Sequence, residues 1–242
     1  MNNWNDNYVN GYPTAVQAEN EATLQRYVAG VMRKVFGKMT LGLLLTALTS
    51  FLILSSDTVM SLFFANSFSY LILFAAELGL VIYLSARIDK LSTTAATLMF
   101  YAYSILNGVT LSPIFHIYTG TSIATTFGIT AGTFGAMAIF GYVTRQDLSK
   151  IGSYLFMALI GLILCMVINL FMHNTMMDIL ISCAGVLIFV GLTAWDTQAI
   201  KRMSAEADPS MTGKVATMGA LTLYLDFINL FIYLLRIFGS RD

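Results

Sequence analysis

An all-α, polytopic membrane protein with seven transmembrane helices is the fold class this sequence predicts, on three observations. Hydrophobic residues make up 57% of the 242 and charged residues 11%, a balance that a water-soluble domain of this size has too little interior to hide. Seven apolar runs follow one another between residues 38 and 238, each long enough to cross a hydrocarbon core of ~30 Å as a helix. Lysine and arginine then gather at alternate loops, the signature of a chain threaded back and forth through a bilayer. With 13 basic and 13 acidic residues the formal net charge is zero, so no basic field marks nucleic acid as a partner.

Along the chain, residues 1–23 are polar and lack both a basic start and a cleavage pattern, which excludes a signal peptide and predicts a flexible tail. Over residues 24–37, Leu24, Tyr27, Val28, Val31 and Val35 recur at helical steps among Arg26, Arg33 and Lys34. That pattern predicts an amphipathic helix at the membrane surface. A single transmembrane domain over 38–242 follows, with spans at 38–55, 69–87, 93–115, 121–143, 153–173, 177–199 and 215–238.

Arg26, Arg33, Lys34 and Lys38 precede the first span; Arg87 and Lys90, then Arg145 and Lys150, then Lys201, Arg202 and Lys214 occupy every second loop, and the loops between have none. The positive-inside rule therefore puts the N-terminus in the cytoplasm and, after seven spans, the C-terminus outside. Arg236 and Arg241 at that end count against the pattern, but three empty loops outvote them. Spans two and four end in similar text, Arg87-Ile-Asp89-Lys90-Leu-Ser92 and Arg145-Gln-Asp147-Leu-Ser149. Two cytoplasmic turns with similar capping needs explain it, as does a diverged three-helix duplication. Cys165 and Cys183 fall inside apolar runs, where thiols pack as small hydrophobes.

Function is sought where polarity is costly. Glu77, Asp196 and Asp226 are the carboxylates well inside the spans, and an acid in a bilayer is a functional hypothesis by default. Span seven adds Thr222, Asn229 and Tyr233, which fall on one helical face with Asp226. A lipid-facing helix has no use for such a stripe, so span seven is expected at the centre of the bundle. Asp196 lies about one turn above the cytoplasmic boundary and Asp226 ~16 Å deep at 1.5 Å per residue. Arg87, ending span two on the same side, is the candidate partner for either aspartate, with interfacial snorkelling as the competing reading. Asn107 in span three has Tyr103, Ser104 and Thr110 at helical spacing, and Pro113 marks a kink or helix end. Plain interhelical hydrogen bonding is the competing account of Thr222, Asn229, Ser104 and Asn107. His116 and His173 read as solvated interfacial side chains.

The segment from Ala220 to Arg236, together with Asp196-Thr-Gln-Ala-Ile-Lys201 and Asn107-Gly-Val-Thr-Leu-Ser-Pro113, resembles the Bax inhibitor motif family of membrane proteins. Glu77 to Arg87 is similar to that family's second helix, and the likeness extends over nearly everything after residue 24, in the manner of a bacterial-type member. The resemblance implies two three-helix layers wrapped around a central C-terminal helix. It further implies a pH-sensitive passive calcium leak, with Asp196 and Asp226 as a paired pH sensor and Arg87 as a latch to the first of them. In a bacterium the host membrane would be the inner membrane.

Two buried carboxylates within reach of one another share a proton and titrate as a unit. An arginine latch opposes that sharing, so a pH change exchanges one contact for the other and shifts spans two, six and seven. Calcium, preferring six to eight oxygens, would meet two or three carboxylates here, at Asp196, Asp226 and Glu77, plus amide and hydroxyl oxygens of the stripe. Weak, transient binding suits conduction. The expected partners are calcium ions, protons and the lipid bilayer, with calcium as permeant ion and no resident cofactor. A proton-coupled secondary transporter and a non-transporting membrane regulator of the stress or cell-death type are the rival readings. No catalytic pattern points to an enzyme: neither histidine accompanies a serine or paired acids, and HExxH is absent.

Overall fold

In lipid a backbone has no water to bond, so each apolar run must satisfy its N–H and C=O groups within itself, and a helix does so. The computed structural model describes residues 8–9, 12–13, 15–56, 60–61 and 67–240. Among these, seven helices are long and apolar enough to cross a membrane. They are α1 (Ala15–Leu54), α2 (Ser67–Arg87), α3 (Thr93–Ile117), α4 (Gly120–Val143), α5 (Ser149–Met172), α6 (Thr175–Glu206) and α7 (Thr212–Phe238). Near the N-terminus β1 (Tyr8–Val9) pairs antiparallel with β2 (Tyr12–Pro13). Of the tail expected over 1–23, residues 1–7, 10, 11 and 14 lie outside the described residues.

Helix α7 is the axis of the bundle. It packs against α1, α3, α4 and α6, while α2 lies on α3 and α5 on α6. The expected two layers of three around a central C-terminal helix are therefore present. In the most apolar stretch of α7, 72% of residues are buried, against 11% in α2 and in α5. Without a hydrophobic driving force between helices in lipid, close packing over small residues holds such layers together. A Cβ on Gly108 would lie 2.6 Å from the Thr46 carbonyl oxygen, and one on Gly141 would strike the Ala194 carbonyl. Hydroxyls inside the helices close onto their own backbone, as Thr193, Thr197 and Ser204 do onto the carbonyls four residues earlier at 2.7–2.8 Å, so they cost little in an apolar setting.

Three elements differ from the sequence expectation. Residues 24–37 are not a separate surface helix but part of the continuous α1. Val28, Val31 and Val35 are buried, and the Tyr27 hydroxyl meets Thr212 Oγ1 at 2.6 Å, so the apolar stripe faces protein from Tyr27 onward, while Leu24 is exposed. Helix α6 runs on to Glu206, past Lys201 and Arg202, and α7 begins at Thr212; charge ended the apolar run but not the helix. Ser92 caps α3 by accepting from the Ala95 amide at 3.1 Å, as expected. The matching role at α5 falls instead to Asp147, whose Oδ1 accepts from the Ser149 amide at 2.9 Å. Hydrogen bonds from the Ser149 hydroxyl and amide hold the Asp147 carboxyl below the usual carboxylate range.

The turns α2–α3, α4–α5 and α6–α7 share one end, rich in lysine and arginine. Gln198 accepts from the Leu148 amide at 2.9 Å and donates to the Gln146 carbonyl at 2.8 Å. Lys214 donates to the Asp89 carbonyl at 2.7 Å. At the opposite end Ser240, just past α7, is fastened to the α3–α4 turn: Thr119 N donates to Ser240 O at 3.1 Å, and Ser240 N to Ser122 Oγ at 2.9 Å.

Candidate functional site

Helices α2, α5, α6 and α7 surround a cavity of about 580 Å³ that has Glu77, Asp196 and Asp226 in its wall. Thr222, Asn229 and Tyr233 line it as well, so the stripe on α7 and the three intramembrane acids of the sequence face one space. The longer α6 and earlier α7 are what bring the aspartates level: Asp196 sits ten residues before Glu206 and Asp226 fourteen after Thr212, depths of ~15 and ~21 Å at 1.5 Å per residue.

The two aspartate side chains lie within hydrogen-bonding reach of one another. Asp226 is 4% exposed, and its Oδ2 is buried without a donor among the described residues. A buried carboxylate oxygen lacking a donor is expensive, and two carboxylates attract only through a proton held between them. The geometry therefore has room for one shared proton at this contact. Asp196, half-buried, opens onto the cavity. Trp195 beside it lies flat against Gly152 of α5, where any Cβ would collide with the indole.

Arg87 is exposed at the end of α2. Neither Asp196 nor Asp226 forms an ion pair with it; the one salt bridge among the described residues joins Arg202 and Asp147 at 3.9 Å. Glu77 is buried, with Thr110 and Asn107 in reach, and its Oε1 has no hydrogen-bond partner among the described residues. Asn107 stands behind the cavity wall, where its Oδ1 accepts from the Tyr224 hydroxyl at 3.0 Å. On the stripe, Thr222 and Asn229 bond to the Met218 and Leu225 carbonyls of their own helix at 3.1 and 2.8 Å. The Tyr233 hydroxyl reaches Met166 Sδ at 3.3 Å, and its ring stacks on Phe189 with centroids 5.9 Å apart. Pro113 lies within α3, which continues to Ile117. His116 and His173 are exposed. Among the described residues no three His, Cys, Asp or Glu side chains converge as a metal-ligating group.

Two polar clusters escaped sequence reasoning. Tyr224, fully buried, shares its hydroxyl between Asn107 and Thr46 Oγ1, the latter at 2.6 Å, and so ties α7 to α3 and α1 directly behind Glu77. Its position two residues after Thr222 puts it off the stripe, and among leucines it reads as ordinary packing. Lys38, counted as a boundary charge, is partly buried and donates to Thr97 and Thr217 Oγ1 at 2.8 and 2.6 Å. Tyr224→Phe deletes a buried hydroxyl with two partners, and is expected to cost about 1–2 kcal/mol, seen as a lower unfolding temperature of purified protein in detergent.

Residues 28–242 match the family described as inhibitor of apoptosis-promoting Bax1. Among similar proteins, the inner membrane protein YbhL of Escherichia coli K12 is 50% identical over 223 residues, covering 91% of this chain and 94% of that protein. An uncharacterized protein of Borreliella burgdorferi is 46% identical over 87% of this chain and 91% of its own length. A Rickettsia prowazekii protein, RP147, is 42% identical over 90% and 91%.

Proposed function

The chain belongs to the family of inhibitors of apoptosis-promoting Bax1, and from that premise we propose that it is a pH-sensitive passive calcium leak of a bacterial inner membrane. The observation that supports this most is the meeting of Asp196 and Asp226 in a cavity that also takes in Glu77 and the polar face of α7.

In this reading the aspartate pair is the sensor. With one proton between them the carboxyls hold α6 to α7; once that proton leaves, two like charges face one another at low dielectric and the contact breaks. Arg87 then latches Asp196, a rearrangement that needs α2 to move toward α6, because the guanidinium is exposed in the present arrangement. The pair is thus a two-state element biased by a local charge event. Calcium is cargo: the carboxylates and the side-chain oxygens of Thr222 and Asn229 offer fewer oxygens than a storage site uses, which favours passage over retention. The reading involves no resident cofactor and no catalytic residue. It sets the basic end and the N-terminus in the cytoplasm and Ser240 outside, by the positive-inside rule.

Calcium entry into proteoliposomes loaded with an indicator tests it. The expected result is flux above empty liposomes that runs only down the gradient and differs between about pH 6 and pH 8 as the shared proton is gained and lost. Uphill accumulation with counter-moving protons would make the protein a transporter, and absence of flux at every pH would leave the regulator reading.

A further inference from the structure

At the basic end a second cavity, about 600 Å³, lies between the start of α1 and the ends of α4 and α6. Its wall has three cations, Arg145, Lys201 and Arg202, and one carboxylate, Asp147, leaving an excess of two positive charges. Arg145 is exposed and forms no hydrogen bond or ion pair among the described residues. Lys201 is fixed in place: its Nζ donates to the Tyr142 carbonyl at 2.7 Å and stands 4.9 Å from the centre of the Tyr142 ring, with further N–H bonds to give. The leak reading uses none of these groups.

Tyr142 also lines a third space, an apolar groove of about 540 Å³ between α1 and α4, with Phe227 of α7 among its lining residues. The groove and the cationic cavity therefore adjoin at Tyr142. Its walls are mostly hydrocarbon and small side chains, with Arg33 and Thr40 as the polar members, and a Cβ at Gly135 would meet nothing within 4 Å. A slot of this kind in a transmembrane surface, next to a cluster of cations at the membrane boundary, has the polarity of an amphiphile: an anionic group at one end and a long apolar chain at the other.

We propose that these two spaces together form a specific site for one anionic glycerophospholipid, its phosphate held by Arg145, Lys201 and Arg202 and one acyl chain laid in the α1–α4 groove against Phe227. The charge excess selects an anionic over a zwitterionic headgroup. The groove separates a lipid from free phosphate, which has no use for it. The site is distinct from the aspartate cavity and does not depend on the leak.

The full chain, purified in detergent, is incubated with phosphatidylglycerol or with phosphatidylcholine of the same acyl chains, and retained lipid is counted by native mass spectrometry. Wild type is expected to keep one phosphatidylglycerol and to hold phosphatidylcholine more weakly. Arg145→Gln is expected to weaken phosphatidylglycerol retention roughly fivefold, one basic residue's share of the attraction. Gly135→Leu is expected to reduce retention by a similar factor by filling the groove. Both variants keep the fold, the first because Arg145 makes no internal bond and the second because the Cβ direction is empty. Equal retention of the two lipids, or retention unchanged in either variant, overturns the proposal. So does displacement of the lipid by glycerol phosphate at millimolar excess, which would reduce the site to free phosphate.

Discussion

Replacing Asp226 with asparagine is expected to flatten the pH dependence of calcium flux while leaving a folded protein. Asparagine has nearly the size and shape of the acid, so the packing of α7 is kept. Its amide donates to the Asp196 carboxylate at any pH, and the α6–α7 contact no longer waits on a proton. In wild type the contact is made when the proton is present and broken as pH rises through the titration of the pair, so flux at about pH 6 and at about pH 8 should differ. In the variant the two values should coincide, at whichever level belongs to the closed pair. Asp196→Asn should reproduce the effect, because the proton belongs to both groups. A variant profile that still follows pH as wild type does removes the pair from the role of sensor.

The largest loss of stability is expected at Gly141, where α4 crosses α6. A Cβ there runs into the Ala194 carbonyl, a backbone atom that no rotamer change can move aside. Gly141→Ala should cost roughly 2–3 kcal/mol through helix displacement, measured as a fall in unfolding temperature in detergent. Gly128 on the same helix is the control, since a Cβ there meets nothing within 4 Å. Alanine at that position should be neutral or stabilising by up to about 1 kcal/mol, the ordinary helix-propensity gain. If both variants unfold alike, the α4–α6 crossing is looser than its geometry implies. Ala194 is two residues from Asp196, so the Gly141 variant should also disturb flux.

Much of this arrangement is legible in the sequence, for reasons that particular residues make clear. The helices could be read because a long unbroken apolar run in lipid satisfies its own backbone only as a helix, and the centrality of α7 because Thr222, Asp226, Asn229 and Tyr233 repeat at helical steps. Helix ends were misread where polarity and helicity part company. Lys201 and Arg202 close an apolar run, yet their side chains reach Tyr142 and Ser149 and the helix persists to Glu206. The first helix shows the opposite case: arginines on one side of residues 24–37 suggested a water-facing surface, while the valines on the other side pack inward. Tyr224 and Lys38 were beyond reach because their meaning lies in partners on other helices, Thr46 and Asn107 for one, Thr97 and Thr217 for the other, which no local pattern announces.

The helix at the centre of the bundle is synthesised after the six others among the described residues. Six helices enter the bilayer before α7 leaves the ribosome, and until then Thr46, Asn107 and Asp196 lack the neighbours on α7 that the finished protein gives them. During that interval the two layers have little to consolidate on beyond the contact of α1 with α6, because most of their common surface is α7. Insertion of the residues of α7 is therefore the step that joins the two layers into one body. A ribosome that stalls or stops short within them leaves behind a chain with polar groups open to lipid, the kind of product that membrane proteases remove.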